Sequence, residues 1–201
     1  MVQKGDTKNH ILTQALNIYA EYGYDKMTLA LIAQNVGIKK PSIYAHFSNK
    51  DEIFLVLLEQ QFKEFNNFLD HKILNICTTY DKETLHGEIF KRIILYIIED
   101  PILKKFWHRI FFNPPINFKK NIKVKLEGFA EKFINSMINT FKLDIHNYKS
   151  REEMKITIID SFIAYIFGII SLMIYNDKTI TLDELEVFWN IYIYGLESKL
   201  K

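Results

Sequence analysis

Residues 28–50, TLALIAQNVGIKKPSIYAHFSNK, constrain the fold more than any other part of the chain. Thr28 has a side-chain oxygen that can accept from an early backbone N–H and so start a helix. Leu29, Ile32, Ala33 and Val36 follow at helical spacing and form one apolar face. Gly37 comes next, where a helix end calls for a positive φ that glycine takes without strain. Pro41 suits the first turn of a second helix, where its missing N–H would have had no partner. Ile43 and Phe47 point back onto the first helix. Ser42, Tyr44, Ala45 and His46 are left facing outward.

Two short helices joined steeply by a Gly turn form a helix-turn-helix. In that motif the second helix enters the major groove of DNA and the first crosses the backbone. Lys39, Lys40 and Lys50 place positive charge at both ends of the second helix. The candidate DNA contacts are Thr28, Lys39, Lys40, Pro41, Ser42, Tyr44, His46 and Lys50. Thr28 is expected to offer its hydroxyl and a backbone N–H to a phosphate at a helix start. Tyr44 and His46 are expected on phosphate as well. Lys39, Lys40, Pro41 and Ser42 lead the second helix and are expected at base edges, where a lysine favours guanine. The competing reading is a plain helical hairpin with solvated lysines.

From Ala15 to Ile53 the chain resembles the DNA-binding domain of the TetR (tetracycline-repressor-like) family of bacterial regulators. The resemblance rests on Ala15, Tyr19, Gly23, Tyr24, Met27-Thr28, Ile32-Ala33, Val36-Gly37-Ile38, Lys40, Ser42-Ile43-Tyr44, His46-Phe47 and Lys50-Asp51-Glu52-Ile53. It implies a homodimer that binds a palindromic operator in double-stranded DNA and is released by a small-molecule effector. Repression is the outcome it implies. Lys50 resembles the family's phosphate-binding lysine. One position departs: Lys39 stands where the family commonly has a small hydroxyl residue, which removes a usual helix cap.

The rest of the chain reads as helices. With seven glycines and four prolines in 201 residues, the sequence favours long helices with few turns. The expected fold class is all-α. An N-terminal three-helix helix-turn-helix DNA-binding domain occupies residues 1–48, and a C-terminal helical effector-binding and dimerisation domain occupies 49–201, about nine helices in all. Helices are expected at Thr7–Tyr22, from Lys50 to about Cys77, Glu83–Asp100, Pro101–Phe112, Asn117–Phe141, Arg151–Tyr175 and Leu182–Lys199. Asn49 with Glu52 has capping-box spacing at the start of the long helix. Thr181 or Asp183 can cap the last one.

Charge must be read locally, because the formal net charge is only +2. Residues 1–50 carry Lys4, Lys8, Lys26, Lys39, Lys40 and Lys50 against Asp6, Glu21 and Asp25, an excess where the DNA face is expected. Cys77 is the only cysteine, so an intramolecular disulfide is excluded. Residues 1–9 have no apolar secretion core, and a cytoplasmic location is expected. Residues 156–175 are apolar and nearly long enough to span a bilayer, but Asp160 lies within them and lysines flank both ends. A buried soluble helix is the preferred reading, without membrane contact. No Gly-rich phosphate loop, His-Glu-x-x-His or nucleophile elbow is present, and the six histidines are scattered. Neither enzyme activity, cofactor nor metal is expected. A helical protein–protein adaptor with weak or no DNA binding is the runner-up.

Two further sites are expected. The last two helices are apolar around most of their circumference, and Ile159, Ile163, Ile166, Phe167, Ile170, Phe188, Trp189, Tyr192 and Leu196 are assigned to the dimer interface. Gly168 is expected to let helices approach closely. The middle helices carry Phe62, Phe65, Phe90, Tyr96, Trp107, His108, Phe111, Phe129, Phe133, Phe162 and Tyr165. These are assigned to an apolar effector pocket, with Asn66, Tyr96 and His108 as polar anchors.

Overall fold

The computed structural model describes residues 4–76, 80–144, 151–176 and 179–200. Among these residues the chain forms nine α-helices and one 3-10 turn, and no strand. They are α1 (Lys4–Tyr22), α2 (Leu29–Val36), α3 (Lys40–Ile43), α4 (Lys50–Ile76), α5 (Lys82–Ile98), α6 (Pro101–Phe112), α7 (Lys119–Phe141), α8 (Arg151–Tyr175) and α9 (Leu182–Leu200). The all-α expectation holds. The helix starts at Thr7 and Asn117 shift: α1 begins at Lys4, and Ile116–Phe118 form the 3-10 turn that leads into α7. The end expected at Cys77 lies outside the described residues, as do parts of the loops near residues 145 and 177.

The starts and stops follow local chemistry. The Asp100 carboxylate accepts from the N–H groups of Ile102 (2.7 Å) and Leu103 (3.0 Å), and Pro101 fills the next position, so α6 begins abruptly. Thr181 and Glu184 cap α9 reciprocally: Glu184 N donates to Thr181 Oγ1 (3.2 Å) and Thr181 N donates to Glu184 Oε2 (2.9 Å).

The chain divides into two compact units. Unit 1 is Met1–Asn67 with Glu99–Pro115; unit 2 is Phe68–Ile98 with Ile116–Lys201. The boundary expected between residues 48 and 49 therefore falls inside unit 1. The reason is α6, which returns to pack on α1. Arg109 Nε donates to Ala20 O (2.8 Å) and its Nη2 donates to Glu21 O (2.7 Å). These carbonyls lie in the last turn of α1, where the helix itself supplies no donors. Lys105 also pairs with Glu21. Around this clasp, Ile11, Ala15, Ile18, Tyr19, Phe54 and Phe106 are buried. Tyr19 meets Phe54 and Phe106 at ring-centroid distances of 5.0 and 5.5 Å.

Unit 2 is built on α5, α7, α8 and α9. Its centre is Trp189, lying against Gly87 of α5. A Cβ at Gly87 would stand 2.9 Å from Trp189 Cδ1 and 3.0 Å from Nε1. Phe90 and Phe133 surround the same indole at 5.5 and 6.3 Å. Helix α8 has the length and hydropathy of a membrane span, yet Phe162 and Ile170 are fully buried within the unit and Lys155 pairs with Glu131 at 2.6 Å.

Two stability outcomes follow from these contacts. Gly87→Ala should lower stability by about 1–3 kcal/mol, because the overpacked partner is a rigid indole; a urea midpoint matching the wild type would refute this. Arg109→Met keeps much of the stem but strips both hydrogen bonds, and should cost about 1–3 kcal/mol, read from the same denaturation curves.

Candidate nucleic-acid interface

The interface is built from α2, α3 and the turn between them. Thr28 caps α2 as expected, its Oγ1 accepting from Leu31 N at 3.2 Å. Its own N–H donates to Lys26 O (2.9 Å), so a backbone N–H offered to a phosphate at this helix start would be that of a following residue. Gly37 ends α2 in the left-handed region at φ 77°. There Gly37 N donates to Gln34 O (3.2 Å) and Ile38 N to Ala33 O (3.0 Å), which satisfies two of the helix's terminal carbonyls.

Helix α3 is short. Lys39 occupies its N-cap position and makes no side-chain capping bond, the consequence expected of a lysine that cannot accept. After four helical residues the chain continues in tighter turns, with Tyr44 N to Pro41 O (3.2 Å), Ala45 N to Ser42 O (3.4 Å) and His46 N to Ile43 O (2.8 Å). Ile43 and Phe47 are buried and pin this segment to the core. The opposite side is open: Lys39, Lys40, Pro41, Ser42 and Ala45 are exposed, His46 is half-buried and Tyr44 is 54% exposed. Lys8, on α1, sits with its ammonium 5.4 Å from the Phe47 ring centre, behind the reading face.

The loop between α1 and α2 meets the start of α4. Lys50 Nζ donates to Tyr24 O (3.1 Å) and lies 3.9 Å from the Tyr24 ring centre. One of its three N–H donors is thus occupied, and it steadies the loop as well as offering charge. The Tyr24 hydroxyl donates to Asp51. Burial and that bond push the phenol's pKa up. Asn49 Oδ1 accepts from Glu52 N (2.8 Å), while Glu52 Oε2 accepts from Ser48 N (2.6 Å), one residue before the expected capping-box partner. The Ser48 backbone bond holds the Glu52 carboxyl below the usual carboxylate range. Its folded pKa is depressed, so this cap helps above the unfolded value and is lost as pH falls through the lowered one.

The other expected sites are rearranged. Of the interface residues on α8 and α9, Ile159, Ile166, Ile170 and Trp189 are buried inside unit 2 and have no surface to offer a second copy. Ile163, Phe167, Phe188, Tyr192 and Leu196 are half-buried. The exposed apolar side is instead Ile156, Leu172, Tyr175, Val187, Ile191 and Tyr194. Helices apolar all round carry no phase in sequence, and the packing of α5 and α7 chose the inward side. Gly168 and Gly195 face open space: nothing lies within 4 Å of a Cβ built there, so among the described residues no helix makes the close approach expected at Gly168.

The eleven effector-pocket residues split between the units. Phe62, Phe65, Trp107, His108 and Phe111 belong to unit 1; Phe90, Tyr96, Phe129, Phe133, Phe162 and Tyr165 belong to unit 2. In unit 2, Phe133 stacks on Phe162 at 4.7 Å and Phe90 and Phe162 are fully buried, so these rings fill a core. Tyr165 donates to Phe188 O at 2.8 Å. Asn66 is exposed. A pocket of 130 Å³ at the end of α8, lined by Ile169, Met173, Ile180 and Phe188, contains none of the eleven and is too small for a typical ligand. In unit 1, the His108 ring lies tilted 4.8 Å from that of Phe112, and burial beside Arg109 lowers its pKa. Among the described residues no group of His, Cys, Asp or Glu has metal-site geometry.

The model of bacterial regulatory proteins of the tetR family matches residues 11–57, the segment that holds α2, α3 and their scaffold. Over that segment the chain is similar to the TetR family. A biofilm operon icaADBC HTH-type negative transcriptional regulator, IcaR of Staphylococcus epidermidis, is 37% identical over 86 residues, 43% of this chain and 45% of the relative. IcaR of Staphylococcus aureus is 31% identical over 126 residues, 62% and 63% of the two chains. The chain thus matches less than two thirds of the length of these curated relatives. Among solved structures, the transcriptional regulator FadR of Bacillus subtilis, crystallised with stearoyl-CoA, superposes with a TM-score of 0.72 at 16% identity, covering 96% of this chain and 99% of FadR. The fatty acid degradation regulator FadR of Bacillus halodurans gives 0.71 at 15% identity, covering 96% of each chain. These likenesses show a shared fold.

Tyr44 tests the interface directly. Because its side chain is more than half exposed, Tyr44→Ala should weaken operator binding by about 1–3 kcal/mol and leave the denaturation midpoint within about 0.5 kcal/mol of wild type. Gel shift and urea titration on the same preparation separate the two effects.

Proposed function

We propose that the protein is a cytoplasmic transcriptional repressor that binds a palindromic operator as a homodimer and is released by a small apolar effector. The open face of α3 carries the proposal: two lysines, a serine and a tyrosine stand exposed on an element whose other side is fixed by Ile43 and Phe47. Lys39 and Lys40 reach base edges at the leading end, and Tyr44, His46, Thr28 and Lys50 hold phosphates. The negative regulation named for the IcaR relatives supports repression.

One reading head spans too little DNA for specificity, so two copies read half-sites about 34 Å apart. The exposed apolar side of α8 and α9 suits a two-fold interface, and Gly168 and Gly195 leave room for backbones to approach. The effector reading draws support from the FadR structure solved with stearoyl-CoA. An effector acts by binding the released state more tightly than the DNA-bound one.

Selection of bound sequences from a random DNA pool tests the proposal. A recovered palindrome with two equivalent half-sites is the expected outcome; recovery of no sequence would favour the adaptor. Val187→Glu with Ile191→Glu should convert a dimer to a monomer in light scattering, whereas a wild-type protein already of monomer mass would remove the two-fold axis.

A further inference from the structure

Lys50 and Asp51 stand side by side in the first turn of α4 with opposite charges. Among the described residues neither enters an ion pair. Tyr24, on the loop between α1 and α2, engages both instead. Its ring faces the Lys50 ammonium, with Nζ 3.9 Å from the ring centre, and its carbonyl accepts from the same nitrogen at 3.1 Å. Its hydroxyl, at the tip of that ring, donates to Asp51 Oδ1. Side chains at adjacent helical positions do not face each other. Here one phenol gathers both, so the carboxylate lies within a side chain's swing of the ammonium.

The tyrosine is fixed independently of the lysine. Phe54 is fully buried and meets the Tyr24 ring edge-on at 5.1 Å. The Tyr24 carbonyl also accepts from Met27 N at 3.2 Å, in the turn that runs into Thr28. Burial and the Asp51 bond push the phenol up, so the hydroxyl keeps its proton and goes on donating. A lysine stem is flexible, and holding its head over an aromatic face removes freedom before any ligand arrives. Of the three ammonium donors, one is on Tyr24 O and two remain. An ammonium neutralised by a carboxylate would displace fewer counterions from DNA.

We infer that Tyr24 is a positioning residue for DNA binding: its hydroxyl keeps Asp51 off Lys50, while its ring and carbonyl present the Lys50 ammonium to a backbone phosphate. The inference rests on the DNA-binding reading above and extends it to a residue outside the α3 face. Tyr24 touches no DNA in this arrangement. It acts through Lys50, by keeping a charge unpaired that its nearest acidic neighbour would otherwise cancel.

The probe is a mixed-sequence DNA duplex of about 30 base pairs, titrated with the full chain by fluorescence anisotropy over a series of salt concentrations. Lys50→Met should make the dependence of log affinity on log salt shallower by about 0.9 for each reading head bound. Tyr24→Phe keeps the ring and its contact with Phe54 and removes only the hydroxyl, which releases Asp51 to pair with Lys50. That variant should bind about three- to fivefold more weakly at low salt, also with a shallower salt dependence. Adding Asp51→Asn should restore both, and its gain should be about threefold larger in the Tyr24→Phe protein than in the wild type. With Lys50→Met already in place, Tyr24→Phe should have no further effect. A tyrosine that only staples the loop would lower the melting temperature when changed to phenylalanine, leave the salt dependence alone and gain nothing from Asp51→Asn. The inference is overturned by that pattern, by a Tyr24→Phe protein that binds as the wild type does, or by an effect of Tyr24→Phe that persists without Lys50. A wild type that binds no duplex at any salt concentration sinks the regulator reading and this inference with it. A wild type that binds, with Tyr24 and Asp51 uncoupled, sinks only the inference.

Discussion

The clasp of Arg109 on the end of α1 is the constraint on which unit 1 depends. A helix ends with carbonyls that lack donors, and burying that end without partners is costly. Here a guanidinium from α6 supplies two donors to Ala20 and Glu21, and Gly23 N takes Tyr19 O at 2.8 Å. Gly23 holds φ 79°, and a Cβ there would meet Arg109 Nη1 at 3.2 Å, so the turn and the clasp fit each other. The reading head therefore does not stand alone: it shares a core with a helix that lies far away in sequence and carries Trp107.

This sharing explains what the residues disclosed and what they concealed. The helix-turn-helix was legible because each of its devices is local. Thr28 caps, Gly37 turns, Pro41 starts and Ile43 anchors, all within a few residues of the backbone they act on. Even the missing cap at Lys39 followed from its chemistry. Arg109, by contrast, sits among Trp107, His108 and Ile110 with nothing nearby to mark it as the partner of a helix end some ninety residues earlier. The compact unit that holds the helix-turn-helix extends past residue 48 for that reason. An arginine in a helix rich in aromatic residues was the available signal.

Helices α8 and α9 illustrate a different limit. Periodicity finds an inward face only when the outward one is polar. Along α8, Ile156 and Leu172 are exposed while Ile159 and Ile170 are buried, and the residue types are interchangeable. Partners on α5 and α7 set the phase, as Gly87 does for Trp189. The aromatic residues of the middle helices posed the same difficulty. Phe90, Phe133 and Phe162 pack against one another and against Trp189, an arrangement visible only once burial is known.

The tight turns that follow α3 have a consequence for how such a chain diversifies. Folding stability in this segment resides in Ile43, Phe47 and the Gly37 corner, whereas the side chains turned toward solvent support none of it. Lys39, Lys40, Ser42 and Tyr44, all exposed, can thus be exchanged by mutation with little effect on folding, and this surface is free to vary in chemistry while the architecture stays the same.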